Sequence, residues 1–219
     1  MALGGVLLVW LGEQAEAQAP PCPLAALAPP PMEGAKGYIV VGQPRPCPPQ
    51  NGTWSDFSVL TDFGDGVIAD TPFREGDPLW FMGGAHAYRR AGTYQLRATA
   101  THRQTGDQIV LQRPIEIPNA PLTPRPARKP KFVAGQKSRQ TIARFHDGNR
   151  LAEASDHTAT IAWGDERRSK VAVVKRGADF LVIGTHRYSA AKRMRRITVI
   201  VRDDRNATVR LSNRAIVRP

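Results

Sequence analysis

The side chains with which this 219-residue chain could do acid–base, metal or nucleophilic chemistry are few: five histidines, two cysteines and 19 Asp and Glu residues. Two of the histidines recur in one setting. His86-Ala87-Tyr88 and His186-Arg187-Tyr188 lie 100 residues apart, and each His stands 21 residues after the Asp of an aromatic-Gly-Asp triplet, Phe63-Gly64-Asp65 or Trp163-Gly164-Asp165. A histidine so placed could act as a general base or metal ligand, and the aspartates could serve a calcium ion. Catalysis would need a nucleophile beside the base, and neither copy carries one. Calcium wants several oxygens together, which Asp65 or Asp165 with its turn does not supply; Asp203-Asp204 is the adjacent Asp-Asp pair of the second copy. The residues read instead as structural. Gly accepts a positive φ, and Asp takes backbone N–H bonds from the residues that follow it. His and Tyr two apart share one strand face, the Tyr buried with its hydroxyl on backbone and the His satisfied by a carbonyl or carboxylate. His102, His146 and His157 scatter through loop-like stretches and form no ligand cluster. A Gly-x-Ser-x-Gly elbow, His-Glu-x-x-His, paired carboxylates and a phosphate-cradling Gly loop are all missing, so no catalytic residue, metal or cofactor is expected.

The elements that must position these residues are strands. Val59, Thr61 and Phe63 alternate, as do Ala159, Ile161 and Trp163, and Ile109, Leu111, Ile115 and Ile117 match Val209, Leu211, Ala215 and Val217 in phase. Tyr94, Leu96 and Ala98 align with Ile197, Val199 and Val201 once a residue is inserted after Tyr188 and another removed in the next turn. Turn residues punctuate both copies at close intervals: Asp65-Gly66, Gly83-Gly84 and Thr105-Gly106-Asp107 in the first, Asp147-Gly148-Asn149, Arg176-Gly177 and Asp203-Asp204-Arg205-Asn206 in the second. No window has a helical period with caps. The spacing predicts an all-β chain of two tandem antiparallel β-sandwiches produced by duplication.

Phe63-Gly-Asp-Gly66, Gly84-Ala-His-Ala-Tyr88 and Ala91-Gly-Thr-Tyr94 together resemble the polycystic-kidney-disease (PKD) domain, and the second copy is similar to related bacterial immunoglobulin-like repeats. The resemblance spans residues 50–117 and 141–217. It implies immunoglobulin-like sandwiches acting as spacer, adhesion or protein- and carbohydrate-binding modules at a cell surface; the ligand does not follow from the fold. The second copy departs from the pattern: Glu166 replaces the usual Gly, and Lys192-Arg193-Met194 stands where Gly-x-Tyr is expected.

The termini and linkers frame this repeat. An apolar stretch, Ala2 to Leu11, precedes two A-x-A sites; a signal peptide over 1–17 is expected, although no Lys or Arg precedes the apolar run. A proline-rich arm (18–33), a first domain (34–118), a proline-rich linker (119–130) and a second domain (131–219) follow. Cys22 and Cys47 lack any zinc pattern and, in an exported chain, are expected to pair as a disulfide. No apolar run reaches the ~20 residues of a spanning helix. Trp54, Trp80 and Phe81 could stack on a sugar, but plugging the open end of the core is the simpler role. Asn51-Gly-Thr and Asn206-Ala-Thr fit the glycosylation pattern.

The net charge of +12 is unevenly divided, with 8 Lys+Arg against 11 Asp+Glu over 1–118 and 23 against 8 over 119–219. This asymmetry offers a second function, docking on a polyanion such as a wall polymer, nucleic acid or anionic lipid. Its candidate residues are Arg167, Arg168, Lys170, Lys175, Arg176, Lys192, Arg193, Arg195 and Arg196, joined by Arg125, Arg128, Lys129 and Lys131 of the linker region. Single-strand readers interleave such cations with stacking aromatics. Here Phe132, Phe145, Trp163, Phe180 and Tyr188 are assigned to the core, so specific nucleic-acid readout is not expected.

Overall fold

The computed structural model describes residues 29–44, 54–73 and 81–219. The expected signal peptide, Cys22 and Cys47, Trp80, the Asn51 site and the proline-rich arm up to residue 28 lie outside the described residues, as does the side chain of Trp54.

The chain is all-β: among the described residues the helical turns are two short 3-10 segments, and no helix is long and apolar enough to cross a membrane. The first unit contributes β1 (Gly37–Gly42), β2 (Phe57–Asp62), β3 (Ile68–Asp70), β4 (Met82–His86), β5 (Gly92–His102) and β6 (Gln108–Ile117). β1 pairs with β4, and a four-stranded antiparallel sheet runs β3-β2-β5-β6. The second unit comprises β7 (Leu122–Arg125), β8 (Lys131–Val133), β9 (Ser138–Asp147), β10 (His157–Ala162), β11 (Arg168–Val171), β12 (Val173–Arg176), β13 (Asp179–His186), β14 (Lys192–Asp203) and β15 (Thr208–Arg218). Its sheets run β12-β13-β9-β7 and β11-β10-β14-β15-β8, the last pair parallel and the rest antiparallel.

Alternation decides which half of each strand is core, since successive side chains point to opposite faces. Ile39, Val59, Phe63, Met82, Tyr88, Leu96, Ala98 and Ile117 close one apolar cluster; Phe132, Ile142, Phe145, Ile161, Trp163, Val182, Tyr188, Val199 and Val217 close the other. Pairing of Leu60 with Thr99 and of Thr160 with Ile200 fixes the correspondence of the copies. Leu96, Ala98 and Ala100 therefore match Ile197, Val199 and Val201, one pleat away from the alignment expected from sequence. A two-residue slip leaves the alternation unchanged, so periodicity alone does not detect it. The counterpart of Tyr94 is Arg195: they face Ile115 and Ala215, equivalent positions on β6 and β15.

Two stretches read as connectors also build the fold. Leu122–Arg125, inside the proline-rich linker, pairs with β9 as an edge strand, where Pro124 costs no central ladder bond. Glu33, at the end of the arm, is buried at 4% exposure between the units. Its carboxylate accepts the Ala91 N–H at 2.7 Å and the Ala120 N–H at 3.1 Å. Asn149 Nδ2 donates across the same joint to the Arg89 carbonyl at 2.9 Å, and Arg89 and Arg90 reach Asp156 and Asp204 at 3.1 and 3.3 Å. Burial holds the Glu33 carboxyl above the ordinary glutamate value, against the two N–H bonds that pull it down.

Candidate functional site

The repeated motif forms the same constellation twice. β2 and β10 end just before Phe63 and Trp163, and β4 and β13 end on His86 and His186. Between them Gly64 and Gly164 both take φ 78°, and a Cβ there would lie 2.5 Å from the Gln95 carbonyl oxygen or 2.3 Å from that of Arg196. That turn carries Asp65 and Asp165 under the histidines: His86 Nε2 meets the Asp65 carboxylate at 2.7 Å, and His186 Nε2 meets Asp165 at 2.8 Å. The other carboxylate oxygens accept the backbone N–H of Val67 and Arg167 at 3.3 and 3.4 Å. Each imidazole stacks on its aromatic neighbour, at 4.2 Å from Phe63 and 4.4 Å from Trp163. Tyr88 and Tyr188 meet the imidazoles edge-on, and both hydroxyls donate at 2.9 Å to the carbonyl of residue 63 or 163. Burial, reinforced by the nearby Asp, drives the Tyr88 phenol far above its ordinary range and pushes Tyr188 up to about 12.

In each copy the Nε2 of the His, both carboxylate oxygens of the Asp and the Tyr hydroxyl are engaged. The ring of each His is held between an aromatic face, a phenol and a carboxylate, and both Asp side chains already serve the turn and the His. The arrangement is a strut that joins the turn to the opposite sheet. Glu166 keeps the turn despite replacing Gly, and takes a positive φ of 70° to do so. Arg195 replaces Tyr94 functionally as well as in register: Tyr94 packs 4.3 Å from Tyr88, and the Arg195 guanidinium lies 5.2 Å over the Tyr188 ring while donating to the Gly164 carbonyl.

Sequence reading missed a third His–Asp contact. His157, assigned to a loop-like stretch, opens β10 as a buried residue; its Nε2 lies 2.8 Å from Asp147 and its Nδ1 3.0 Å from the Glu153 carbonyl. The side chains are 0% and 4% exposed. In the first copy the same position is Phe57, so comparison of the copies at an apolar position was the available signal.

The basic candidates do not form one patch. Lys175 is engaged by Glu153 and the Ala152 carbonyl, Arg176 stands on the four-stranded sheet, Arg195 covers Tyr188, and Arg167 and Lys192 are exposed at a turn and a strand start. The side chain of Arg193 lies outside the description. Only Arg168, Lys170 and Arg196 share the outward face of β11-β10-β14-β15, where the structure adds Arg202, Arg210 and Arg214. Among the described residues no carboxylate stands on that face, and none of these cations has an ion-pair partner within 4.0 Å. On the opposite sheet, by contrast, Asp179 gathers Arg125 and Arg144. A cation search at every second residue of β14 and β15, rather than in runs, would have found the added arginines.

No family model and no curated protein matches this chain. Among solved structures it is similar to an ICAM-5 ectodomain fragment, at 20% identity over 89% of this chain and 53% of that one, with a TM-score of 0.37. The Bacteroides ovatus mixed-linkage glucan utilization locus protein SGBP-B, in complex with a mixed-linkage heptasaccharide, is 13% identical over 86% of this chain and 42% of that one, with a TM-score of 0.26. Chicken VE-cadherin is 15% identical over 86% of this chain and 94% of that one, with a TM-score of 0.32. The chain spans about half the length of the first two.

Proposed function

We propose that the chain is an exported, non-catalytic protein in which PKD-type sandwiches at 34–118 and 131–219 serve as spacer and adhesion modules for a protein or carbohydrate ligand. The observation that carries this reading is the consumption of the motif: in both copies the His, Asp and Tyr side chains are bound to one another and to the turn. His86→Asn and His186→Asn are then expected to lower the melting temperature while leaving capture of ligands on a glycan and protein array unchanged. Loss of capture at full thermal stability would overturn the reading. Export and the Cys22–Cys47 disulfide belong to it: cell fractionation should find the mature chain outside the cytoplasm with no titratable thiol, and a cytoplasmic chain with two thiols would contradict it.

A second reading, polyanion binding by the second unit, is favoured by the carboxylate-free cationic face of its five-stranded sheet. Affinity for a polyanion should fall steeply with salt as counterions are released.

A further inference from the structure

We infer that the outward face of β10, β11, β14 and β15 is a docking trough for a linear sulfated polysaccharide; this rests on the polyanion reading and deepens it. The floor of the trough is β10 and β14. Their outward side chains there are uncharged, Thr160 paired with Ile200 and Ala162 with Thr198. The flanking strands carry the cations: Arg168 and Lys170 on β11 stand opposite Ala162 and Thr160, and Arg210 on β15 stands opposite Ile200. Neighbouring strands lie about 4.8 Å apart, so the two basic borders are roughly 14 Å apart at the backbone, and long side chains reach inward from both. Thr160, Ala162, Thr198 and Ile200 line a hollow of about 200 Å³ with Arg168 and Arg210 at its sides. A second hollow of about 430 Å³ adjoins it through the Thr198–Ser212 pair and is lined by Ser212, Arg196, Arg214 and Lys129. The two make consecutive positions along the strand direction, as a linear chain would occupy them.

The chemistry of the face selects among polyanions. Guanidinium groups predominate over ammonium, and their planar forks match tetrahedral oxyanions with paired hydrogen bonds. The floor offers Thr and Ser hydroxyls, which suit a polyhydroxylated chain. No aromatic side chain stands on the face to stack a base, against what single-strand nucleic-acid surfaces use. Among the described residues of β10, β11, β14 and β15, the large apolar residues exposed beyond a third are Ile200 on the face and Met194 near the start of β14, too few to enter a lipid surface.

The test uses the full chain, with heparin as the sulfated probe and polygalacturonate, single-stranded oligo-dT and anionic phosphatidylserine vesicles as competitors of other chemistry. Binding is measured by titration calorimetry between about 50 and 200 mM salt. Arg168→Gln with Arg210→Gln is expected to weaken heparin binding about 10-fold or more and to lower the salt slope by about one per cation removed. Arg139→Gln with Arg176→Gln, on the other sheet, serves as the control and is expected to leave affinity within about twofold. Thermal melts of both variants check that they fold. Absence of heparin binding by the wild type at low salt would overturn the polyanion reading together with the trough. Heparin binding that falls equally in the trough and control variants would overturn the trough and leave the polyanion reading standing. Equal or tighter binding of polygalacturonate, oligo-dT or vesicles would overturn the sulfated polysaccharide.

Discussion

The outward faces of the two equivalent sheets occupy the same pleat and carry opposite surfaces. In the first unit Leu60, Ile68 and Val110 are 54%, 63% and 40% exposed, beside Asp62 and Asp70, with Arg97 the cation among them. Their counterparts in the second are Thr160, Arg168, Arg210, Ala162 and Lys170, in the same register. The inward halves of those strands hardly differ: Val59, Phe63, Leu96 and Ala98 correspond to Ala159, Trp163, Ile197 and Val199. Core complementarity constrains one half of a strand and leaves the other to the solvent, so a duplicated sandwich can change what it touches without changing how it folds.

The exceptions to this division are interior, and they give the largest effects. His157→Phe places the first unit's Phe57 in the second and leaves the buried Asp147 without its imidazole, with the Asn149 N–H as its remaining bond. It should lower the unfolding free energy by about 3–5 kcal/mol, read from urea denaturation, and adding Asp147→Asn, which removes the carboxylate and keeps an acceptor for the Asn149 N–H, should recover part of that loss. Wild-type stability for the single variant would show that the pair contributes nothing to the second core.

Glu33 tests whether the units are joined as closely as each is packed. Glu33→Ala strands the Ala91 and Ala120 N–H groups, each at about 1–3 kcal/mol, so a loss of about 2–6 kcal/mol is expected. The sign of its pH dependence follows from burial. Because the folded carboxyl is held above its ordinary value of 4.5, the stability it contributes is fully present below that value and declines as pH rises through the folded one. Wild type should therefore gain stability relative to Glu33→Gln as pH falls from neutral towards 4.5, and the opposite trend would refute the assignment.

Tyr88→Phe and Tyr188→Phe remove equivalent hydroxyl bonds and should cost about 1 kcal/mol each, a near-equality that thermal melts can check. In alkaline titration both phenols should hold their protons past 10, Tyr188 up to about 12. Their contribution is full below pH 10 and is lost as pH climbs through those raised values. Release of either phenol at its ordinary value of 10 would contradict its burial. Smallest is Glu166→Gly, which gives the second turn the first unit's Gly66. Relief of the positive φ, partly offset by the greater chain entropy of Gly, should raise stability by about 0.5 kcal/mol, and a decrease would mean that the Glu side chain has a role of its own.

Much of this was legible in the residues. The aromatic-Gly-Asp and His-x-Tyr spacings marked the turn and the strand ends at which His86 meets Asp65 and His186 meets Asp165, because a repeated motif constrains both copies at once. Register between the copies was not legible to better than a pleat, since a period-2 pattern is blind to a two-residue slip. Runs of Lys and Arg misled for a related reason. Adjacent residues of a strand point to opposite sides, so Arg195 and Arg196 part company, one lying over Tyr188 and the other facing outward. The cationic face emerges only when β10, β11, β14 and β15 lie side by side, which requires pairings far apart in sequence. The roles of Glu33 and of Pro124 on an edge strand likewise depend on long-range contacts that composition hides.

The most direct measurement transplants the first unit's surface onto the second. Arg168→Ile with Arg210→Val gives the trough the residues of Ile68 and Val110 and leaves both cores untouched. Heparin affinity of the full chain should fall about 10-fold or more at a melting temperature close to that of the wild type. Unchanged affinity at the same stability would contradict the account, because the outward faces would then differ in sequence without differing in what they bind.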